Sequence, residues 1–490
     1  MAEDKTNTEK NENEKAPAPS VEETESTTQH TIVLNGKEIK YTVTTGTIVL
    51  KEEDVDEGEK QKASIFFIAY TKDDPEEDRP LTFSFNGGPG SSSVWLHLGL
   101  VGPKRVLMTD EGEPVGPPHR LVDNEYSLFD RTDLVFIDPV STGYSRTVPK
   151  EKPDQFHTVE KDIESVGEFI RIWTTRNQRW SSPKFLIGES YGTTRAAGLA
   201  GYLHQRHGMY LNGIMFVSSI LNFITARFDE GNDLPFILFL PTYTATAWYH
   251  GRLPEDLQQG SLEAAVEAAR EFALTDYTLA LMKGNDLKSK NRKAIAVKLA
   301  ALTGLSETYV EGSNLRIDIH RFCKELLRDE GLTVGRFDSR IKGKDSDQVG
   351  EKPELDPSYA IILGPYSAAM YDYLRRDLEY ETDLPYEILK SLYQSWKYEK
   401  NQNHYLNTAA DLRRGFQLHP GLKVIVCNGY YDMATPLLAT EYTYKHIPLP
   451  EEQQKNIRMT YYEAGHMMYL HLPSLKKLSA DLHAFIDSAV

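Results

Sequence analysis

The apolar run Lys184-Phe185-Leu186-Ile187 passes directly into Gly188-Glu189-Ser190-Tyr191-Gly192, and a helical pattern follows from Thr193 to His207. A chain with this stretch must end a buried strand and begin a helix within one sharp turn. The two glycines permit that turn, which lifts the serine hydroxyl above the sheet edge. Three further short apolar runs, Leu81 to Phe85, Leu134 to Ile137 and Ile214 to Val217, read as strands buried on both faces of a parallel sheet. Helical patterns such as Val159 to Thr175 separate them. This alternation predicts an α/β class with helices on both faces of a mostly parallel sheet. Ahead of it, Thr31 to Leu34, Glu38 to Leu50 and Ala63 to Tyr70 read as antiparallel strands that open the sheet.

The pattern breaks after Leu221 and returns at Val424 to Val426 and Ile457 to Tyr462. Between them lie helix-favouring stretches, Ser261 to Thr275, Asn291 to Leu302, Ser358 to Leu378 and Pro385 to Tyr398, with almost no strand signal. The expectation is a sheet domain formed by residues 31–222 and 407–490, interrupted by a helical cap at 223–406. Residues 1–30, rich in Glu, Lys, Thr, Asn and Pro, read as a disordered tail with no apolar core, hence no signal peptide. No segment approaches the ~18 consecutive apolar residues of a membrane span. The expected localisation is a soluble compartment, cytoplasmic or reached as a processed exported form. A net charge of −17 argues against nucleic acid and anionic membrane as partners. With only Cys323 and Cys427, a disulfide framework and a cysteine-rich metal site are excluded. Cys427 reads as a buried thiol.

A serine nucleophile needs a base, an acid that orients the base, and donors for a developing oxyanion. In chain order Ser, Asp, His, the partners are Asp432, in Asn428-Gly429-Tyr430-Tyr431-Asp432, and His466, in Glu463-Ala464-Gly465-His466-Met467. Both follow strands at the sheet's carboxyl edge, where open α/β folds gather their sites. Glu463 and Asp138 compete for the acid, and His471 and His483 for the base; Asp138 precedes the serine and so falls in the wrong order. The segment Asn86-Gly87-Gly88-Pro89-Gly90-Ser91-Ser92-Ser93 follows the strand Leu81 to Phe85. Its glycines allow close backbone approach, so the amides of Gly88 and Tyr191 are the expected oxyanion donors. No Lys follows in the arrangement of a phosphate-binding loop.

Together, Asn86 to Ser93, Gly188 to Gly192, Asp432 and Gly465-His466-Met467 resemble the serine carboxypeptidases of the α/β-hydrolase superfamily. The resemblance implies an α/β-hydrolase fold, removal of single residues from peptide C-termini through an acyl-enzyme, no cofactor and no metal. It also implies that Glu189 and Asn86, helped by the Gly87 amide, bind the substrate's terminal carboxylate through a shared proton and hence favour acidic pH. An esterase or acyltransferase on the same scaffold is the alternative. The sequence departs from the family in three places. A glutamate commonly precedes Leu-Gly-Pro and supports the recognition carboxylate, whereas here the run is Gly99-Leu100-Val101-Gly102-Pro103. Ser91 replaces the family cysteine, and Asp138 to Ser145 is a shortened form of another motif. Aromatic pieces at Pro241 to Trp248 and Tyr366 to Tyr373 read as core before pocket wall.

Overall fold

The computed structural model describes residues 20–55, 58–392, 394–398 and 403–490. Its centre is a sheet whose strands are β1 (Glu25–Leu34), β2 (Lys37–Asp54), β3 (Gly58–Lys72), β4 (Leu81–Phe85), β5 (Asp133–Ile137), β6 (Lys184–Ser190), β7 (Gly213–Ser219), β8 (Lys423–Gly429) and β9 (Ile457–Tyr462). They lie in the order β1-β2-β3-β5-β4-β6-β7-β8-β9, with the short strand Arg146–Thr147 added to β3. From β1 to β5 each pairing is antiparallel, and from β5 to β9 each is parallel. Strand alternation divides the core. Phe185, Ile187, Met215, Val217 and Ile425 face one side, where they meet Leu475, Leu478, Leu482 and Phe485 of helix Leu472–Ala489. Leu186, Ile214, Phe216 and Val424 face the other, against helices α1 (Val159–Arg176) and α2 (Tyr191–His207).

Two expectations are corrected. The polar stretch ending at His30 is no tail throughout, because Glu25–His30 pair with Tyr41–Gly46 as the first half of β1. Its side chains alternate between exposed and half-buried, and Ser26 Oγ donates to the Leu378 carbonyl at 2.8 Å. A polar edge strand carries no apolar run, which is why composition alone reads it as tail. Residues 1–19 of that expectation lie outside the described residues. The helix expected over Pro385 to Tyr398 is absent from 385–392, where Glu387 and Leu389 form isolated bridges with Gly143 and Ser91. Gly143 N donates to Glu387 O, Lys390 N to Gly90 O and Ser92 N to Ile388 O, at 2.9 Å each. Partners from the sheet domain thus satisfy groups that a helix would have paired internally.

The interruption between β7 and β8 does not form one unit. Residues from Ile237 to Val334 share a separate apolar core with Leu437 and Leu438. Helix Pro357–Asp372, by contrast, packs Ile362, Tyr366 and Met370 onto the sheet's own core. Tyr243 stacks on Phe322 at 4.1 Å inside the separate core, and Tyr366 lies in the sheet core, 5.1 Å from Trp95. Cys323 and Cys427 are free and buried in different cores. Among the described residues no helix is long and apolar enough to cross a membrane.

Candidate active site

Ser190 ends β6 and caps α2 with φ 59° and ψ −130°, a conformation that L residues rarely hold. The surroundings enforce it. Thr193 Oγ1 donates to the Ser190 carbonyl at 2.6 Å, and a Cβ on Gly188 would lie 2.4 Å from the Gly192 carbonyl oxygen. Parallel pairing sets Phe85 beside Gly188, which brings the loop after β4 against the elbow. A Cβ on Gly87 would sit 2.4 Å from the Tyr191 nitrogen. The Gly88 and Tyr191 amides therefore belong to neighbouring backbones, and Tyr191 is the first residue of α2, where an amide has no intrahelical acceptor.

His466 is held from several sides. Its Nδ1 lies 2.8 Å from Asp432 Oδ2, its amide donates to the Phe337 carbonyl at 2.6 Å, and its carbonyl accepts from Ser218 Oγ at 2.6 Å. The Phe337 ring lies over it at 5.1 Å. Asp432 accepts from the amides of Ala434 and Thr435 at 2.8 and 3.0 Å and from Thr435 Oγ1 at 2.6 Å. Burial alone would push the Asp432 carboxyl up, but the imidazole and these donors hold it below its usual range. Burial likewise opposes charge on His466, yet Asp432 raises its pKa above the ordinary value. An imidazole oriented by an ionised carboxylate is suited to take a proton from a hydroxyl and hold it.

Glu189 is buried with its Oε2 accepting from Asn86 Nδ2 at 3.1 Å and from Tyr469 OH at 2.7 Å. Burial pushes its carboxyl up to about 7, against the hydrogen bonds and the nearby imidazole, which favour the ion. Asn86 is itself oriented, because its Oδ1 accepts from Leu96 N at 3.1 Å. Its carbonyl accepts from Arg195 Nη1 at 2.6 Å, and Arg195 pairs with Asp162 at 2.8 Å in the interior.

Asn86, Gly87, Gly88, Glu189, Ser190, Tyr191 and His466 line one cavity of about 540 Å³. That size suits a small ligand or one end of a peptide. Asp432 stands behind His466, away from the lining. The rival residues are placed elsewhere. Glu463 is exposed, and His471 bonds Ser474 Oγ at 2.9 Å. His483 pairs with Asp130 at 2.8 Å, and Asp138 accepts from Ser93 N and Oγ at 2.7 and 2.8 Å to secure the glycine loop.

The insertion completes the wall with Phe223, Arg227, Arg336, Phe337, Tyr359 and the segment Leu389–Ser391. None of these was legible as a site residue in the sequence, and neither was Tyr469, in a run without a recognised motif. The 386–392 stretch had one local signal, Pro385, which disfavours helix in the residue before it.

The strand order, the elbow between β6 and α2, and the Ser190, His466 and Asp432 arrangement define an α/β-hydrolase fold. Residues 52–290 match the family described as serine carboxypeptidase. Curated relatives include the pheromone-processing carboxypeptidase KEX1 of Saccharomyces cerevisiae, 37% identical over 126 residues, 25% of this chain and 16% of that protein. Serine carboxypeptidase-like 15 of Arabidopsis thaliana is 32% identical over 139 residues, 27% of this chain and 30% of its own length. The matched stretches thus span under a third of these relatives. The crystal structure of KEX1(ΔP), a prohormone-processing carboxypeptidase from Saccharomyces cerevisiae, aligns over 91% of both chains with a TM-score of 0.50 at 16% identity, a likeness of fold.

Proposed function

We propose that this chain is a serine-type carboxypeptidase that hydrolyses the C-terminal peptide bond of a peptide. Glu189 carries this reading. It is a buried carboxyl, bonded to Asn86, raised to about 7 and bordering the same cavity as Ser190 and His466. A carboxyl that keeps its proton near neutrality can donate to the carboxylate of a free C-terminus, with Asn86 and the Gly87 amide as further donors. A hydrolase indifferent to chain ends has no need of such a group.

In the proposed cycle His466 takes the Ser190 proton as Ser190 Oγ attacks the last peptide carbonyl. Asp432 stabilises the imidazolium, and the amides of Gly88 and Tyr191 donate to the developing oxyanion. His466 passes the proton to the departing amine, releasing the terminal amino acid and leaving an ester on Ser190. Water, deprotonated by His466, attacks that ester; Ser190 recovers its proton and the shortened peptide departs. No metal or cofactor enters this cycle. The parts of the insertion that supply the far wall of the cavity, among them Phe223, Phe337 and Tyr359, act as the cap that selects the side chain.

A blocked dipeptide with a free C-terminal carboxylate, assayed beside its amide, tests the reading. The acid is expected to be cleaved at least about a hundredfold faster in kcat/KM, the ~3 kcal/mol scale of a charge-assisted hydrogen bond. Equal cleavage would overturn it in favour of an esterase or acyltransferase. Ser190→Ala is expected to abolish both turnover and labelling by an organophosphonate.

A further inference from the structure

Among the described residues, the carboxyl group proposed to recognise the substrate has no second carboxyl bonded to it. Among the described residues its side-chain hydrogen bonds come from Asn86 Nδ2 and Tyr469 OH, both to Oε2, and none occupies Oε1. Tyr469 is fully buried, and its ring fills space that exists only because residue 99 is glycine. A Cβ there would lie 2.4 Å from Tyr469 Cε2 and 2.6 Å from its Cδ2. The neighbouring Leu100 is buried in the apolar core and offers no polar atom beyond its backbone.

We propose that Tyr469 is the positioning residue of Glu189: seated against Gly99, its hydroxyl and the Asn86 amide together occupy Oε2 and leave Oε1 as the oxygen that meets the substrate carboxylate. The inference rests on the carboxypeptidase reading of Glu189. A phenol that donates to Oε2 fixes the carboxyl plane and cannot itself lose its proton near neutrality, because burial raises its pKa well above the ordinary value. Recognition therefore titrates through Glu189 alone. The other groups that bear on its charge are His466 and Asp432, behind the nucleophile, and Tyr366 of helix Pro357–Asp372. The imidazole favours ionised Glu189 and the carboxylate opposes it.

Two readouts separate positioning from packing. The first is the pH dependence of KM for the free-acid substrate, with kcat on a blocked ester as control. The second needs no turnover: the carboxylic C=O infrared band of Glu189, assigned by its loss in Glu189→Gln, followed through a pH titration. Tyr469→Phe removes a donor that favours the ionised form, so the infrared midpoint and the alkaline limb of KM are both expected to move up by about one pH unit. Acid-side KM is expected to rise about tenfold as the carboxyl loses its fixed plane, with ester kcat unchanged. Replacement of Tyr469 by 3-fluorotyrosine, almost the same size with a stronger O–H donor, is expected to move both midpoints down. Gly99→Ala, which displaces the ring, is expected to reproduce the phenylalanine result. Unmoved midpoints in the phenylalanine and fluorotyrosine proteins would overturn the proposal, whatever their melting temperatures. If the wild-type protein cleaves acid and amide alike while the infrared midpoint still moves, the functional reading fails and the positioning of Glu189 stands.

Discussion

Glu189 is a buried carboxyl whose charged form the fold disfavours. Its carboxyl titrates near 7 in the folded chain and at an ordinary 4.5 when unfolded. A folded pKa above the unfolded one gives stability that is fully present below 4.5 and lost as pH rises through 7. Glu189→Gln removes that dependence. Relative to wild type, the variant is expected to gain on the order of 2–3 kcal/mol between pH 4 and pH 8, read as a shift in urea midpoint at constant slope. Asp138, raised to about 6 by burial, titrates in the same window but is common to both proteins. Under the proposed function the same group sets the alkaline limb of activity. Cleavage of a free-acid peptide is expected to fall above about pH 7, whereas a blocked ester, which needs only neutral His466, is expected to show no such fall.

Helices α1 and α2 do more than cover the sheet. Asp162 from α1 and Arg195 from α2 form a buried pair, and the second arm of Arg195 holds the Asn86 carbonyl. Arg195→Met leaves Asp162 without its cation inside the protein and is expected to cost about 3–5 kcal/mol in denaturant unfolding. The double variant with Asp162→Leu is expected to recover much of that loss, yet to keep a raised KM for free-acid substrates because the Asn86 carbonyl has lost its Arg195 donor. Sequence reading handled elements unequally at this scale. The run from Lys184 to Gly192 declares its own structure, because a buried strand, two close backbone approaches and a helix start are all local demands. Pro385 to Tyr398 reads as helix from its residue types, but the decisive partners, Gly90 and Gly143, lie more than 200 positions upstream. The polar half of β1 fails to declare itself for the same reason: its pairing and its Leu378 contact are tertiary.

Over the whole molecule, charge is distributed against the trend of the composition. The chain carries a net −17, yet its cavity is bordered by Arg227, Arg336 and Lys390, with Glu189 as the one acidic side chain in the lining among the described residues. The Arg336 guanidinium lies 4.4 Å over the Phe337 ring, whose centroid is 5.1 Å from that of the His466 ring, so in the proposed cycle this cation lies near the reacting bond. Peptides with an acidic side chain next to the scissile bond are expected to show a several-fold higher kcat/KM than their glutamine counterparts at low salt. The preference is expected to fade at about 1 M salt, where the screening length is about 3 Å, and to shrink in Arg336→Gln. Steady-state assays of the paired peptides across ionic strength check this.

From its sequence alone the chain determined an α/β fold with a strand-to-helix elbow, the order Ser190, Asp432, His466, and a glycine loop placed to meet the elbow. Each rests on local backbone demands or on chain order along a parallel sheet. What only the tertiary structure decided is who surrounds Glu189. Asn86 reaches it across neighbouring strands, Tyr469 enters from beyond β9 through the gap at Gly99, and Phe337 closes over His466 from the insertion. These contacts join residues tens to hundreds of positions apart, and their chemistry depends on burial, a property that no local stretch of sequence contains.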